Sequence, residues 1–275
     1  MYIDSHCHLN HDYITELGTP QDIVKNANDH KIVGMTSICC KIASEFDSLL
    51  STVKTMQNVW CSVGTHPHDA SDANEKLISC DDIVRLSQSD ARVIGIGESG
   101  LDYYYDYADR SDQAESFRKH IQACQETGLP IIVHARDADR DCMDIINEEI
   151  KNSSKPLQGV LHCFSSGETM AMEGLDIGFY ISFSGMVTFK NMQWLRDIAA
   201  KIPKDKVLIE TDAPFLAPAP YRGKTNQPAY VEYTALELAK IYNFTREEMG
   251  KITMDNFFRL FPKALETWVE PSNQS

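Results

Sequence analysis

The sequence predicts an α/β protein folded as a (β/α)8 barrel, the TIM barrel. Eight short runs rich in β-branched residues recur along the 275 residues, and the segments between them have the apolar periodicity of amphipathic helices. The runs are apolar at consecutive positions, which is typical of parallel strands covered by helices on both faces. The number of strand–helix units favours a closed barrel over the alternative, an open doubly wound sheet. The predicted strands are residues 2–4, 33–38, 59–63, 93–96, 131–133, 160–161, 179–182 and 207–209.

Local signals mark several helix ends between these strands. Asp112 with Glu115, and Thr245 with Glu248, have the spacing of a capping box, which predicts a helix start at each pair. Gly128, followed by Leu-Pro, predicts the end of a helix just before the fifth strand. The strands and helices therefore alternate along the whole chain.

One glycine-rich segment lies in the fourth predicted strand–helix unit. The segment Gly-Ile-Gly-Glu-Ser-Gly at residues 95–100 has the spacing of a dinucleotide-binding loop. Such a loop opens the helix after the first strand of an open sheet. Here the segment lies in the fourth unit and its first two glycines fall in a predicted strand, so the sequence argues against that function. We predict one barrel domain over residues 1–268 and a polar tail over residues 269–275.

Composition restricts the possible partners. The 26 basic and 40 acidic residues give a formal charge of −14, which excludes a protein that coats nucleic acid with a basic surface. Nucleic acid would have to bind at a local positive site, such as a metal ion or a few Arg and Lys side chains. The sequence predicts no secretory signal, no membrane span and no obligate protein partner, and hence a cytoplasmic protein. The eight scattered cysteines are interpreted as buried thiols.

Metal-ligand side chains stand at the carboxyl ends of the predicted strands, where barrel enzymes carry their active sites. Residues i and i+2 of a strand point to the same side, so two histidines of the His-Cys-His segment after the first strand can bind one ion. Imidazole and carboxylate ligands suit Zn²⁺, Mn²⁺ or Fe²⁺, and Mg²⁺ with added water. Six ligands exceed the three typical of one catalytic zinc, so we expect two divalent ions, with Glu98 the natural bridge. The predicted ligands are His6, His8, Glu98, His134, His162 and Asp212.

These residues lie in five of eight longer motifs, and together the eight motifs closely resemble the TatD family of metal-dependent deoxyribonucleases. The resemblance extends over essentially the whole chain and preserves the order of the motifs. The motifs are Asp-Ser-His-Cys-His-Leu at 4–9, Gly-Thr-His-Pro-His at 64–68, Gly-Ile-Gly-Glu-Ser-Gly-Leu-Asp-Tyr at 95–103, Ile-Val-His-Ala-Arg at 132–136, Leu-His-Cys-Phe-Ser at 161–165, Ile-Ser-Phe-Ser-Gly at 181–185, Leu-Ile-Glu-Thr-Asp-Ala-Pro at 208–214 and Arg-Gly-Lys-Thr-Asn-Gln-Pro at 222–228.

The resemblance implies a TIM-barrel hydrolase of DNA, with 3′-to-5′ exonuclease action on single strands. It also implies that His6, His8, Glu98 and Asp212 hold the first metal ion. Glu98, His134 and His162 are implied to hold the second ion. Asp212 is suited to orient the attacking water and accept its proton. The alternatives are an ester hydrolase such as a D-aminoacyl-tRNA deacylase, or another small-substrate hydrolase of the amidohydrolase type.

Each of the further site candidates has a second interpretation, in which it supports the fold and has no role in the reaction. His66 is predicted to be catalytic and His68 to contact substrate, whereas the alternative is a rigid His-Pro-His turn. Arg136 is predicted to bind phosphate, unless it pairs with a neighbouring acidic residue. Arg222 and Lys224 are predicted phosphate contacts in a loop without acidic residues, or else part of a solvated loop.

Two additional interpretations concern side chains around the predicted ligands. The three tyrosines at 103–105 can stack bases or, more commonly, pack their loop against the barrel. Glu210 shares the strand face of Asp212 and is interpreted as a carboxylate that orients a ligand. Both interpretations depend on how the loops fold over the barrel.

Overall fold

The computed structural model describes residues 1–105 and 107–271. Eight parallel strands follow one another around a single sheet in chain order. This confirms the predicted (β/α)8 class, and each predicted strand is present. The strands are Tyr2–Cys7 (β1), Ile32–Ser37 (β2), Val59–Val63 (β3), Val93–Asp102 (β4), Ile131–Arg136 (β5), Gly159–Leu161 (β6), Tyr180–Phe183 (β7) and Val207–Ile209 (β8).

Helices cover the outside of the sheet and connect successive strands. Their apolar faces and the outward faces of the strands form one large buried cluster, as expected when a parallel sheet is enclosed by helices. The α-helices are Pro20–Asp29 (α1), Ile42–Val53 (α2), Cys80–Ser87 (α3), Arg110–Thr127 (α4), Asp139–Asn152 (α5), Glu168–Asp176 (α6), Gln193–Ala199 (α7), Val231–Tyr242 (α8) and Arg246–Leu260 (α9).

Two of the predicted helix ends are confirmed. Thr245 caps α9, and its side chain and that of Glu248 exchange hydrogen bonds with each other's backbone amides, which satisfies amides that have no partner within the helix. Gly128 ends α4 with a φ of 75°, and its amide donates to a carbonyl of the last turn. Glycine adopts this left-handed conformation without the strain that a Cβ would cause.

The predicted helix start at Asp112 and Glu115 is wrong. The helix α4 begins two residues earlier, at Arg110. The Asp112 carboxylate accepts hydrogen bonds from Lys76 Nζ at 2.9 Å and from Ser71 Oγ at 2.7 Å instead. A tertiary contact therefore uses the oxygen atoms that the local sequence pattern assigns to a cap.

A second apolar cluster fills the inside of the barrel. Seven of the strands contribute a residue each to this cluster. The helix α9 adds Phe257 and Leu260, and Phe261 follows directly after this helix. Trp60 of β3 is completely buried among them, with its ring centroid 5.4 Å from that of Phe257. Because these apolar side chains fill the inside of the barrel, the polar chemistry is left to the carboxyl ends of the strands.

The barrel closes between β1 and β8 at the end where the predicted ligands lie. The His8 amide donates to the Ala213 carbonyl at 2.8 Å, and the Asp212 amide donates to the His6 carbonyl at 2.9 Å. A single parallel bridge, from Cys7 to Ala213, accompanies these bonds. The closure of the barrel thus fixes the backbone next to three predicted ligands.

The strand β4 is longer than predicted, so Glu98 lies inside this strand rather than after it. Gly97 and Gly100 within β4 have φ values of 125° and 153°, a region that side chains with a Cβ rarely adopt. A Cβ on Gly97 would lie 2.5 Å from the carbonyl oxygen of Ile132, and one on Gly100 would overlap the carbonyl oxygen of His134. Glycine is therefore required for β4 to approach β5 this closely.

The end of the described chain returns to the barrel. The Val269 amide donates to Asn58 Oδ1 at 2.9 Å, and Asn58 Nδ2 donates to the Val269 carbonyl at 2.8 Å. Of the predicted polar tail, residues 272–275 lie outside the described residues. None of the helices in the described part of the chain is both long enough and apolar enough to cross a membrane.

Candidate metal centre

Three predicted ligands meet where β1 joins the loop after β8. The Nε2 atoms of His6 and His8 lie 3.3 Å apart. Asp212 Oδ1 lies 3.3 Å from His8 Nε2 and 3.6 Å from His6 Nε2. Two imidazole nitrogens and one carboxylate oxygen therefore face a common point.

The Glu98 carboxylate lies at the centre of the remaining ligands. Its Oε1 atom is 2.8 Å from both His134 Nδ1 and His162 Nε2, and 3.4 Å from His66 Nε2. Its Oε2 atom faces the other way and lies 3.2 Å from His6 Nε2. The two oxygens of one carboxylate thus contact two different sets of imidazoles.

Groups of ligand atoms that lie within 4.8 Å of one another occur repeatedly in this cluster. The structure brings all six predicted ligands together. It also adds two side chains that the sequence interpretation did not count as ligands, His66 and Cys40. The groups among the described residues are His6 with His8 and Asp212, His6 with Glu98 and His162, His66 with Glu98 and His134, and His8 with Cys40 and Glu98.

The charge state of the carboxylates fits a cation. Burial opposes ionisation of Glu98, but His162 and the other imidazoles around it hold the pKa of Glu98 well below its usual range. The pKa of Asp212 is also lowered. Burial opposes its ionisation, but the hydrogen bond with His8 and the charges of the surrounding imidazoles together outweigh burial. Among the described residues, no group is oriented to donate a hydrogen bond to the buried Glu98 Oε2. A buried anionic oxygen without a donor, beside several imidazole nitrogens, suits a divalent cation.

The outward nitrogens of three histidines contact partners that set their orientation. His162 Nδ1 lies 3.3 Å from Glu210 Oε1, and His8 Nδ1 lies 3.6 Å from Cys40 Sγ. His134 is reversed relative to these two, because its Nδ1 faces the cluster and its Nε2 faces Asp102. Such partners fix the ring and the tautomer of a ligating histidine.

Cys40 corrects the interpretation of the cysteines. All eight are free, but Cys40, Cys80 and Cys163 are partly exposed rather than buried. The Cys163 thiol, interpreted as part of the core, contacts Ser184 Oγ at 3.3 Å. The loop after β2 places Cys40 beside a predicted ligand, and no periodic pattern in the sequence indicates that contact.

Asp102 is a site residue that the sequence interpretation missed. Its Oδ2 atom lies 2.9 Å from His68 Nε2 and 3.1 Å from His134 Nε2. Although burial opposes ionisation, these imidazoles hold the pKa of Asp102 well below its usual range. Glu98 and Asp102 are four positions apart and share one face of β4. That even spacing, in a strand recognised at its full length, is the signal that could have found Asp102.

Replacing Asp102 by Asn is expected to weaken metal binding by about 10- to 100-fold, the usual effect of losing such a partner. Asp102 Oδ1 accepts the amides of Tyr104 and Tyr105 at 3.0 and 3.1 Å. The Asn oxygen must keep that position, so its NH2 group faces two imidazoles that need an acceptor. Metal affinity is measured by titration of the metal-free protein.

The matched control for this prediction is Asp141→Asn, because Asp141 bonds the Tyr103 hydroxyl at 2.8 Å outside the ligand cluster. Asp141→Asn should bind metal like the wild type. Equal metal affinity in the two variants would contradict an orienting role for Asp102.

The predicted His-Pro-His segment begins a short 3₁₀ turn beside the cluster. His66 Nδ1 accepts the backbone amide of His68 at 3.1 Å, so its Nε2 faces Glu98. Burial lowers the pKa of His66 to about 4, which keeps the imidazole neutral. The hydrogen bond within the turn holds the His-Pro-His segment in place, as expected if the segment has a structural role. The turn also directs both histidines toward the cluster.

The predicted substrate contacts are distributed more widely. The Arg136 guanidinium lies 3.9 Å from the ring centroid of Tyr104, and the described residues contain no ion pair between Arg136 and either Asp137 or Asp139. The Arg222 guanidinium lies 3.7 Å from the centroid of Phe189. Arg222 and Lys224 are exposed in the loop after β8. Arg136 lies two residues after His134 and stacks on a tyrosine that follows β4, whereas Arg222 and Lys224 lie ten or more residues after Asp212 in the loop after β8.

Comparison with protein-family models gives a match to the family described as TatD related DNase, over residues 3–262. The chain belongs to the TatD family. It is 41% identical over 263 residues to YcfH of Escherichia coli K12, with 94% of this chain and 95% of that protein covered. It is 37% identical over 262 residues to YabD of Bacillus subtilis, with 95% and 99% covered. Both relatives are named uncharacterized metal-dependent hydrolases, and this TatD chain is likewise a metal-dependent hydrolase.

Solved structures of TatD proteins share the fold. YJJV, a TatD homologue of Escherichia coli K12, superimposes with a TM-score of 0.81 at 21% identity, covering 95% of this chain and 98% of its own. A TatD-family hydrolase of Entamoeba histolytica gives a TM-score of 0.79 at 19% identity, with 94% and 97% covered. These similarities support the barrel fold of the TatD chain.

Proposed function

We propose that this TatD chain hydrolyses phosphodiester bonds of DNA with two divalent cations. The observation that carries the proposal is the Glu98 carboxylate, which faces His6 through one oxygen and His134 and His162 through the other. One carboxylate between two sets of imidazoles is the arrangement expected of a bridging ligand. The proposed ligands are His6, His8, Glu98 and Asp212 for the first ion and Glu98, His134 and His162 for the second.

When bound, the cations supply Lewis acidity, which lowers the pKa of water and offsets the charge of a phosphodiester. The protein supplies orientation and a proton acceptor. Asp212 Oδ1 lies beside His6 and His8, so its carboxylate is suited to orient the attacking water and take its proton. Asp212 also has a φ of 56°, a conformation uncommon outside glycine and often found at functional sites.

We assign His66 to the substrate rather than to a metal ion. Its Nδ1 accepts the His68 amide, so in the neutral imidazole the proton is on Nε2. A protonated Nε2 facing the cluster can donate to a phosphate oxygen or to the leaving oxygen, but it has no lone pair for a metal. Ligation through Nε2 would move the proton to Nδ1, where it would oppose the His68 amide.

The proposed substrate is the 3′ end of a single strand, by analogy with the family that the motifs resemble. Arg136 is close to the cluster and is the proposed phosphate contact there, and His68 is the proposed contact beside it. Arg222 and Lys224 are proposed to contact more distant phosphates. Few cations on an acidic protein favour a short contact with a strand end over a long contact with duplex DNA.

Removal of metal tests the proposed chemistry. Chelation followed by dialysis is expected to abolish digestion of single-stranded DNA, and adding back Mg²⁺, Mn²⁺ or Zn²⁺ separately should restore it with at least one ion. Elemental analysis of the purified protein should give two equivalents of metal. Undiminished digestion in excess chelator would contradict the proposal.

The substrate class is tested by comparison within one metal-loaded preparation. Single-stranded DNA, duplex DNA, RNA and a D-aminoacyl-tRNA are offered in parallel, and single-stranded DNA is expected to be degraded fastest. The products should be nucleoside 5′-monophosphates released from the 3′ end. Cleavage of the D-aminoacyl ester alone would assign the same metal centre to an ester hydrolase.

A further inference from the structure

A series of aromatic rings leads from the metal centre to the surface on the side of β4. The centroids of His66 and His68 are 4.3 Å apart, and that of His68 is 5.3 Å from Tyr105 and 4.9 Å from Tyr107. Tyr105 and Tyr107 are stacked in parallel with centroids 5.1 Å apart. Each ring contacts the next, so the series forms one continuous aromatic surface.

Arg136 adds a positive charge to this surface. Its guanidinium lies over Tyr104 at 3.9 Å and over Tyr105 at 4.9 Å. A planar cation stacked on aromatic rings is itself a surface on which a base or a phosphate can bind. We call Tyr104, Tyr105, Tyr107 and Arg136 the β4 rim.

A second series of rings leaves the metal centre on the side of β1. The Phe215 centroid is 6.4 Å from that of His8 and 5.1 Å from that of His11. The His11 ring in turn lies 5.0 Å from Tyr13. We call Tyr13 and Phe215 the β1 rim.

The two rims lie on opposite sides of the barrel opening. Tyr13 follows β1 and Phe215 follows β8, and these strands meet where the barrel closes. The β4 rim follows β4 and β5, which stand farthest from that closure in the strand order. The Glu98 cluster is between the rims, because His8 contacts the β1 rim and His68 contacts the β4 rim.

Exposed aromatic side chains are concentrated at these rims. Tyr13, Tyr104, Tyr107 and Phe215 are 60%, 56%, 66% and 42% exposed. The described residues contain one other aromatic side chain of similar exposure, Trp194 on α7. Large apolar rings in water are unfavourable, so their clustering on both sides of a catalytic centre indicates a ligand that covers them.

We propose that the two rims stack unpaired bases of single-stranded DNA on both sides of the phosphodiester that is cleaved. This inference depends on the proposed nuclease function and specifies how the strand is held. Bases of a duplex are stacked on one another, whereas unpaired bases can expose a face to an aromatic ring. Stacking also gives affinity without many phosphate contacts, which matches a protein with a charge of −14.

The two rims account for the proposed preference for single strands over duplexes, which the metal centre alone does not explain. The metal ions and Arg136 recognise a phosphate, which single strands and duplexes share. The aromatic rims recognise exposed base faces, which only unpaired nucleotides offer. The dependence of binding on salt should therefore be shallow, because few counterions are released.

The test uses Tyr107→Leu and Phe215→Leu, separately and combined, with Trp194→Leu as the matched control. Binding is followed by fluorescence anisotropy of a labelled single strand with phosphorothioate linkages, in the presence of Mg²⁺. Loss of one stacked base is expected to raise Kd by about 5- to 100-fold. Trp194→Leu should bind like the wild type, and Tyr107→Phe should retain affinity because it keeps the ring.

The outcomes separate the rims from the nuclease chemistry. If the wild type cleaves single strands while both leucine variants bind them normally, the proposed role of the rims is wrong and the nuclease function stands. If the wild type binds the phosphorothioate strand through the rims but does not cleave a strand with normal phosphodiester linkages, the proposed nuclease function is wrong and the proposed role of the rims stands. Failure of the wild type to bind, or equal competition by duplex DNA, would overturn the inference.

Discussion

Glu98→Gln is expected to remove most of the bound metal and to lower hydrolysis by roughly three orders of magnitude or more. The Glu98 oxygens contact His134 and His162 on one side and His6 on the other. An amide has only one acceptor oxygen, so one of these sides would face an NH2 group. The Lewis acidity that depends on the carboxylate is worth several kcal/mol of the barrier.

This expectation is checked by elemental analysis together with the rate of digestion of single-stranded DNA. Glu115→Gln is the control, because Glu115 is exposed on α4 and pairs with Lys119 at 2.9 Å. Circular dichroism of both variants establishes that the barrel is folded. Normal metal content with normal activity in Glu98→Gln would remove Glu98 from the centre of the mechanism.

The barrel could be predicted because its strands are buried on both faces. Runs such as Val59–Val63 contain several consecutive buried residues, so they stand out against the mixed composition of the helices. The strand β4 is also buried throughout, but its length was underestimated because of its glycines. The part of β4 beyond the predicted end at residue 96 contains Gly97, Ser99 and Gly100 and resembles a turn, whereas the structure uses these glycines for close approach to β5.

The grouping of the ligands could be predicted from the sequence because the carboxyl ends of all strands lie on the same side of a barrel. His6 and His134 lie near the carboxyl ends of β1 and β5, and Asp212 follows β8 by three residues. The partners that orient the rings could not be predicted in this way. The contact of Asp102 with His68 depends on the path of the loop after β3, and the contact of Cys40 with His8 depends on the loop after β2.

The acidic composition and the nuclease proposal are compatible when the charges are located. Glu98, Asp102 and Asp212 are grouped around histidines at the barrel opening, where anionic side chains attract cations. The phosphate of a substrate is then attracted by those cations and by Arg136. The remaining negative charge lies elsewhere on the protein and opposes long contacts with DNA.

Asp212→Asn is expected to lower kcat for single-stranded DNA by about 100- to 10,000-fold while leaving the fold intact. An amide cannot accept the proton of the attacking water, and general-base catalysis contributes this range. Asn retains one oxygen toward His6 and His8, so the substitution removes basicity with little change of shape. Asn also tolerates the left-handed backbone at φ 56°, which Ala would strain.

Asp137→Asn is the matched control, because Asp137 follows β5 at the same side of the barrel with a φ of 53°. Both variants exchange a carboxylate for an amide in the same backbone conformation, so any conformational effect is common to them. Circular dichroism should show a folded barrel in each variant, and only Asp212→Asn should lose turnover. The control therefore shows any effect of the backbone conformation alone. A near wild-type kcat in Asp212→Asn would assign the proton acceptor to another group of the centre.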